Sequence, residues 1–150
     1  MTDRIIKAVA SACIGLFAQP KPRCIGCALA VADAGPPCSA CRAAPNPLDA
    51  ALAAVSYGYP WAALVQDFKF RAQPAWARRM ALLMRSAPWV EPALDAADWV
   101  IPMPLSTQRL QSRGFNQAWQ LAQALSPAKA RVQWLLRTRD TPAQSSMARK

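Results

Sequence analysis

The sequence predicts an α/β protein, in which a mainly parallel sheet flanked by helices follows a small module built on cysteines. Three observations carry this. Four cysteines stand in two C-x2-C pairs, CIGC and CSAC, separated by ten residues. Downstream, short apolar runs alternate with stretches of helical periodicity in the order strand, helices, strand, loop, helix, strand, the alternation expected of parallel strands joined by helices. Hydrophobic residues make up 53% of the chain and charged residues 17%, a composition that packs a core and excludes a disordered protein.

With 150 residues there is room for a small appended module and one modest core, and no more. The chain divides into an N-terminal amphipathic helix over 1–19, the cysteine module and its linker over 20–47, and the α/β unit over 48–150. In the first part, Ile5, Ile6, Val9, Cys13, Leu16 and Phe17 follow helical spacing. Early basic residues and a weak lipobox-like Ala10-Ser11-Ala12-Cys13 raise a secretory leader as the alternative, which Asp3 in the charged region opposes. No apolar run reaches the ~18 residues of a membrane span, so a cytoplasmic protein is expected. Cys13, on the helical stretch, reads as a small buried hydrophobe.

Cys24, Cys27, Cys38 and Cys41 carry the clearest chemistry. Two-residue spacers let paired thiolates reach one ion from a tight turn, and two such knuckles close a tetrahedral sulfur cage. Zinc is the simplest occupant; two disulfides or an iron-sulfur cluster are the alternatives. Gly26 lies in the first knuckle, and Gly35, Pro36 and Pro37 punctuate the return to the second. Four thiolates saturate tetrahedral coordination, so the zinc would be structural, holding a segment too small to own a core.

After the prolines of Ala43 to Pro47, Leu52 to Tyr57 reads as a strand. A helix opened by Pro60 follows, with Trp61, Leu64, Val65 and Phe68 on one face and an end near Arg71. Pro74 opens another, with Trp76, Met80, Leu83 and Met84 inward. Pro88 and Pro92 break the chain, Trp99-Val100-Ile101 is a buried strand stopped by Pro102 and Pro104, and Asn116 caps a helix through Leu125 that Pro127 stops. Val132 to Leu136 is a last strand.

Eighteen Lys and Arg against eight Asp and Glu leave a formal charge of +10, which fits a polyanion or phosphorylated ligand as well as plain solubility. Histidine is absent, which excludes Ser-His, Cys-His and His-metal chemistry. Arg109 and Arg113 stand four apart beside Gly114, at the end of a strand, where open α/β sheets place ligand crevices, and two guanidiniums there could hold a diphosphate. Asn116 and Gln117 at the next helix N-terminus add donors. The structural alternative is that Arg113 pairs with a carboxylate such as Asp98, Gly114 makes a turn, Phe115 packs and Asn116 only caps.

The stretch ADWVIPMPLSTQRLQSRGFNQAWQLAQAL, Ala97 to Leu125, resembles the signature of the ComF competence family, GntX-like proteins included: a strand, a PVPL turn, an R-L-x-x-R-G-F-N-Q run and a helix. FKF at Phe68 to Phe70, the upstream cysteine module, and RTRDTPAQ at Arg137 to Gln144 extend the resemblance from about Cys24 to the end. It implies a zinc ribbon followed by a Rossmann-like domain of type I phosphoribosyltransferase kind. The turn Pro102, Met103, Pro104 and Leu105 is then similar to a diphosphate loop, with Arg109, Arg113, Asn116 and Gln117 around it. Arg137, Arg139 and Gln144 resemble the part leading into a mobile loop, and are expected to be disordered at a free chain end.

Met103 stands where the family has Val, Ser106 where it often has His, and only Cys13 where it has a further cysteine pair, which leaves a second zinc without ligands. The family's D-D-x-x-T-T-G-x-T loop is missing, and the five glycines lie at 15, 26, 35, 58 and 114, so no glycine loop follows Gly114 to wrap a phosphate. The domain is therefore expected to be incomplete, C-terminally truncated and without transferase activity, and magnesium is implied only for a complete phosphoribosyl diphosphate site. Whether the family's full form is an enzyme stays open. The resemblance implies action in DNA uptake and natural competence, or handling of phosphoribosyl diphosphate or nucleotides, with single-stranded DNA or competence-machinery proteins as partners. Two other classes stand beside it: a zinc-ribbon nucleic-acid-binding module, and a truncated product with no function of its own.

Overall fold

A computed structural model of the chain describes residues 22–33, 37–71 and 73–141. The expected helix over 1–19, Cys13, Gly35, Pro36 and Gln144 lie outside them. Within them the chain forms six helices: α1 Ser39–Ala43, α2 Trp61–Phe70, α3 Trp76–Arg85, α4 Val90–Ala96, α5 Thr107–Arg113 and α6 Gln117–Leu125.

The expected Rossmann-like parallel sheet is corrected: among the described residues there is no strand, only two isolated bridges, Arg23 with Ala30 and Val100 with Ala130. The second shows why the ladder does not grow. Val100 donates its N–H to the Lys129 carbonyl at 3.0 Å and accepts from Arg131 N–H at 3.1 Å. On one side Pro102 and Pro104 have no N–H to continue the pairing, and on the other the chain turns at 132–133. Leu52 to Tyr57 is also not a strand. Its Ala53 and Ala54 give little β preference, no neighbouring strand pairs with it, and Leu52 and Tyr57 are exposed. Val132 to Leu136 likewise runs unpaired.

α2, α3 and α6 occupy the stretches that periodicity indicates; α4 and α5 do not follow from it. Pro92 falls in the first turn of α4, where an N–H would have no intrahelical acceptor, so it is tolerated there and does not break the helix. α5 is bounded by Ser106, whose side chain accepts from Arg109 N–H, and by Gly114 at φ 76°, the left-handed turn that glycine makes without a Cβ clash.

The core lies where α3 packs on α6, with α4 against α3. Its tightest positions are small: Ala77 and Ala81 on α3 and Ala122 on α6 are buried, with Leu125 beside them. Trp76, Met80, Leu83 and Met84 are only half-buried, because the alanine stripe lets the helices approach and the larger side chains flank the seam. Phe68 on α2 is buried and lies 5.8 Å from the Phe115 ring centroid.

Cations close the helix ends. Arg85, at the end of α3, pairs with Glu91 of α4 at 2.7 Å and donates to the Leu125 carbonyl at the end of α6. Lys129 Nζ donates to the Leu94 and Asp95 carbonyls at 2.7 and 3.0 Å, where the α4 dipole favours positive charge. The Arg85 pair is partly exposed and screened. Replacing Arg85 by Ala should therefore lower the unfolding free energy by about 1–2 kcal/mol, chiefly through the uncapped Leu125 carbonyl. Thermal denaturation of Arg85→Ala beside Arg85→Lys checks this, with Lys expected to recover part of the loss.

Candidate metal centre and the arginine turn

The first cysteine pair sits in a tight hairpin. Cys24 N–H donates to the Leu29 carbonyl at 2.9 Å, Ala28 N–H to the Cys24 carbonyl at 2.8 Å, and Val31 N–H to the Pro22 carbonyl at 2.9 Å. Ala28 turns the chain with a φ of 59°. The second pair is set by α1: Cys38 is its N-cap and Cys41 follows within its first turn, so both sulfurs face the hairpin from one short helix. Arg42 returns to the Pro37 carbonyl at 2.6 Å.

The four sulfurs all lie within 4.8 Å of one another, and Cys27 Sγ and Cys38 Sγ are 3.8 Å apart. A tetrahedral ion with metal–sulfur bonds of about 2.3 Å requires sulfur–sulfur edges of about 3.8 Å. All four cysteines are free, and 3.8 Å is far beyond the ~2.05 Å of a disulfide. The four can hold one metal ion, and no protein group beyond them is needed to complete a tetrahedron.

Backbone amides prepare the cage for negative charge. Cys38 N–H donates to Cys24 Sγ at 3.3 Å. That amide, with smaller help from those of Cys27 and Gly26, outweighs burial and lowers the Cys24 thiol to about 6. Cys41 is pushed up to about 12, first by the Cys27 sulfur and then by burial and the other two sulfurs. At Cys27 the Leu29 amide pulls down while burial and the Cys24 sulfur push up, with a net rise. The cage thus favours the thiolate form at one sulfur and opposes it at two others.

Around the predicted anion site the geometry is more closed. Pro102 is buried and Met103 exposed, and Asn116 Nδ2 donates to the Met103 carbonyl at 3.2 Å. Asn116 Oδ1 also accepts from Ala118 and Trp119 N–H, capping α6. Gln117 is buried and donates to the Lys69 carbonyl at 3.4 Å. Arg113 does not pair with Asp98; it donates to Gln117 Oε1 at 3.2 Å and lies 5.1 Å over the Phe70 ring. Burial, and then the charge of Arg109, lower the Arg113 pKa.

Arg109 donates to the Thr141 carbonyl at 2.8 Å, and Arg137 reaches the Pro104 carbonyl at 3.5 Å and the Thr141 hydroxyl. The stretch 137–141, expected to be disordered, is thereby fastened beside the turn. Pro104, Leu105, Asn116, Trp119, Leu136 and Arg137 line an open groove of about 450 Å³ between them. Asn116 joins the turn directly, whereas Arg109, Arg113 and Gln117 are engaged within the chain.

A second feature had no periodicity to reveal it. Trp99 and Trp134 meet with ring centroids 4.7 Å apart at 59°, and the Arg131 guanidinium lies 4.4 Å over Trp99. The rings are 44% and 56% exposed.

The site is a cluster of four cysteines placed closely enough to hold one metal ion, in a chain whose secondary structure among the described residues is otherwise helical. The chain is similar to the DNA utilization protein YhgH of Salmonella typhimurium, with 28% identity over 121 residues, which are 79% of this chain and 53% of that protein. The chain therefore spans about half the length of this curated relative. No family model matches the chain, and no solved structure matches it. Among the described residues no helix is long and apolar enough to cross a membrane.

Two outcomes follow from the cage. Because Cys27 and Cys41 are raised and lose protons on binding, apparent metal affinity should rise with pH between 6 and 8 and fall on acidification, with proton release in calorimetry. A Cβ on Gly26 would lie 3.1 Å from Cys41 Sγ and 3.3 Å from its Cβ. Gly26→Ala should therefore weaken binding by about tenfold, read by chelator competition.

Proposed function

We propose that this chain is a ComF-like, DNA-handling protein in which a structural zinc ion at Cys24, Cys27, Cys38 and Cys41 holds a ribbon over 20–47, and the unit over 48–150 supplies a basic surface for single-stranded DNA. The similarity to a protein named for DNA utilization supports the first part, and the fit of four sulfurs to one tetrahedral ion supports zinc. The observation that carries DNA binding is the exposed Trp99–Trp134 pair with Arg131 stacked on it, in a chain of formal charge +10.

Water leaves two tryptophans half-exposed at a cost, and a nucleobase covers such a ring without needing a particular sequence. Base stacking contributes about 1–3 kcal/mol per base, and guanidiniums add phosphate contacts that weaken as salt rises. No bond is made or broken in this reading: the chain holds a strand, in DNA uptake or in the use of DNA taken up, alone or with competence-machinery proteins.

Binding of a fluorescently labelled oligo-dT should quench tryptophan emission, weaken steeply between 50 and 200 mM salt, and drop about tenfold or more in Trp134→Ala. Binding unchanged by Trp134→Ala would remove this surface from the reading, and no binding at low salt would sink DNA handling by direct contact.

One observation favours a second reading, that of a nucleotide or phosphoribosyl diphosphate held at Pro102 to Leu105 by Arg109 and Arg113. Burial, and after it the charge of Arg109, lower the Arg113 pKa, and an anion beside the two guanidiniums would offset both. Salt-insensitive nucleotide binding that disappears in Arg113→Ala would favour it over the DNA reading.

A further inference from the structure

Given a metal ion held by the four cysteines, we infer that residues 46–56, which follow them in the chain, form the outer shell of the metal centre, with Asn46 as the positioning residue that sets the first knuckle, so that metal binding and the docking of this segment are one event.

Gly26, in the knuckle Cys24 to Cys27, lies against the cage: a Cβ there would stand 3.1 Å from Cys41 Sγ and 3.9 Å from Cys24 Sγ. The carbonyls of Ile25 and Gly26, on either side of it, are both gripped by the same short segment. Ala51 N–H donates to the Ile25 carbonyl at 2.6 Å, and Asn46 Nδ2 donates to the Gly26 carbonyl at 2.9 Å. Asn46 is itself fixed, because its Oδ1 accepts from Leu48 N–H at 3.1 Å. The other end of the hairpin is tied to the same stretch: Arg23 donates to the Ala28 carbonyl at 2.9 Å and to Ser56 Oγ at 3.0 Å.

Each grip therefore holds a peptide plane of the knuckle that carries Cys24 and Cys27. A plane that rotated would shift Gly26, which has only 3.1 Å between its Cβ position and Cys41 Sγ, and with it the spacing of the two sulfurs. Partners of this outer kind typically change metal affinity by about 10–100-fold. Linkage makes the effect reciprocal: what Asn46 and Ala51 contribute to metal binding, the metal contributes to holding 46–56 in place. The segment that leads into α2 is then ordered on the ribbon only when the cage is filled.

The test uses the full chain and zinc. Affinity is measured by competition with a chromophoric chelator for the wild type, Asn46→Ala and Tyr57→Ala, and amide hydrogen exchange is recorded with zinc and after chelation. Tyr57 is exposed and lies just past the segment, so Tyr57→Ala controls for general damage to this part of the chain. The expected results are a tenfold or greater loss of zinc affinity in Asn46→Ala, wild-type affinity in Tyr57→Ala, and an Ala51 amide that exchanges at least tenfold more slowly with zinc while the Ala122 amide of α6 is unaffected. Equal affinity in Asn46→Ala and wild type, or an Ala51 amide indifferent to zinc, overturns the inference and leaves the metal centre standing. A wild-type chain that binds no zinc sinks both.

Discussion

Closure of four sulfurs around one point is the constraint on which the N-terminal part of this structure depends. The described residues of 22–43 contribute one buried hydrophobic side chain, Cys24, and a five-residue helix without a side-chain cap or buried face. Neither a helix of that length nor a hairpin that short is stable by itself. What joins them is the geometry of the thiolates, with the Cys38 amide on Cys24 already anticipating the charge. A filled cage converts two marginal turns into one folded unit, because the free energy of binding is available to folding.

Later in the chain, the organising feature is a seam of small residues. Ala77, Ala81 and Ala122 let α3 and α6 come together, Arg85 ties the end of each to α4, and Lys129 closes α4 in turn. This leaves the apolar stretches 99–103 and 132–136 at the edge of the core with only one bridge between them. Trp99, Trp134 and Arg131 gather at that edge, and the surface argued to meet DNA is a direct result of helices taking the centre.

The gathering of the four cysteines was legible in the sequence because its information is local: the spacing of Cys24, Cys27, Cys38 and Cys41 fixes how near the sulfurs can come. Asn116 as a helix cap was legible for the same reason. The sheet was not. Trp99 to Ile101 and Val132 to Leu136 have strand-like composition, but strands exist only in pairs, and whether a partner lies alongside is decided by distant prolines and turns. α4 and α5 were hidden behind Pro92 and behind a polar run whose helix signals were the Ser106 cap and the Gly114 stop. Arg109, read as facing the turn, instead holds 137–141, since a long side chain's direction is set by tertiary contacts that spacing does not encode.

The measurement that bears most directly on this account is the intact mass of the chain under native conditions, followed by the same measurement in denaturing acid. A filled cage gives the mass of the chain with none of its five cysteines in a disulfide, plus one zinc, returning to the bare reduced chain in acid. A native mass without metal, and lighter by the four hydrogens of two disulfides, would contradict this account.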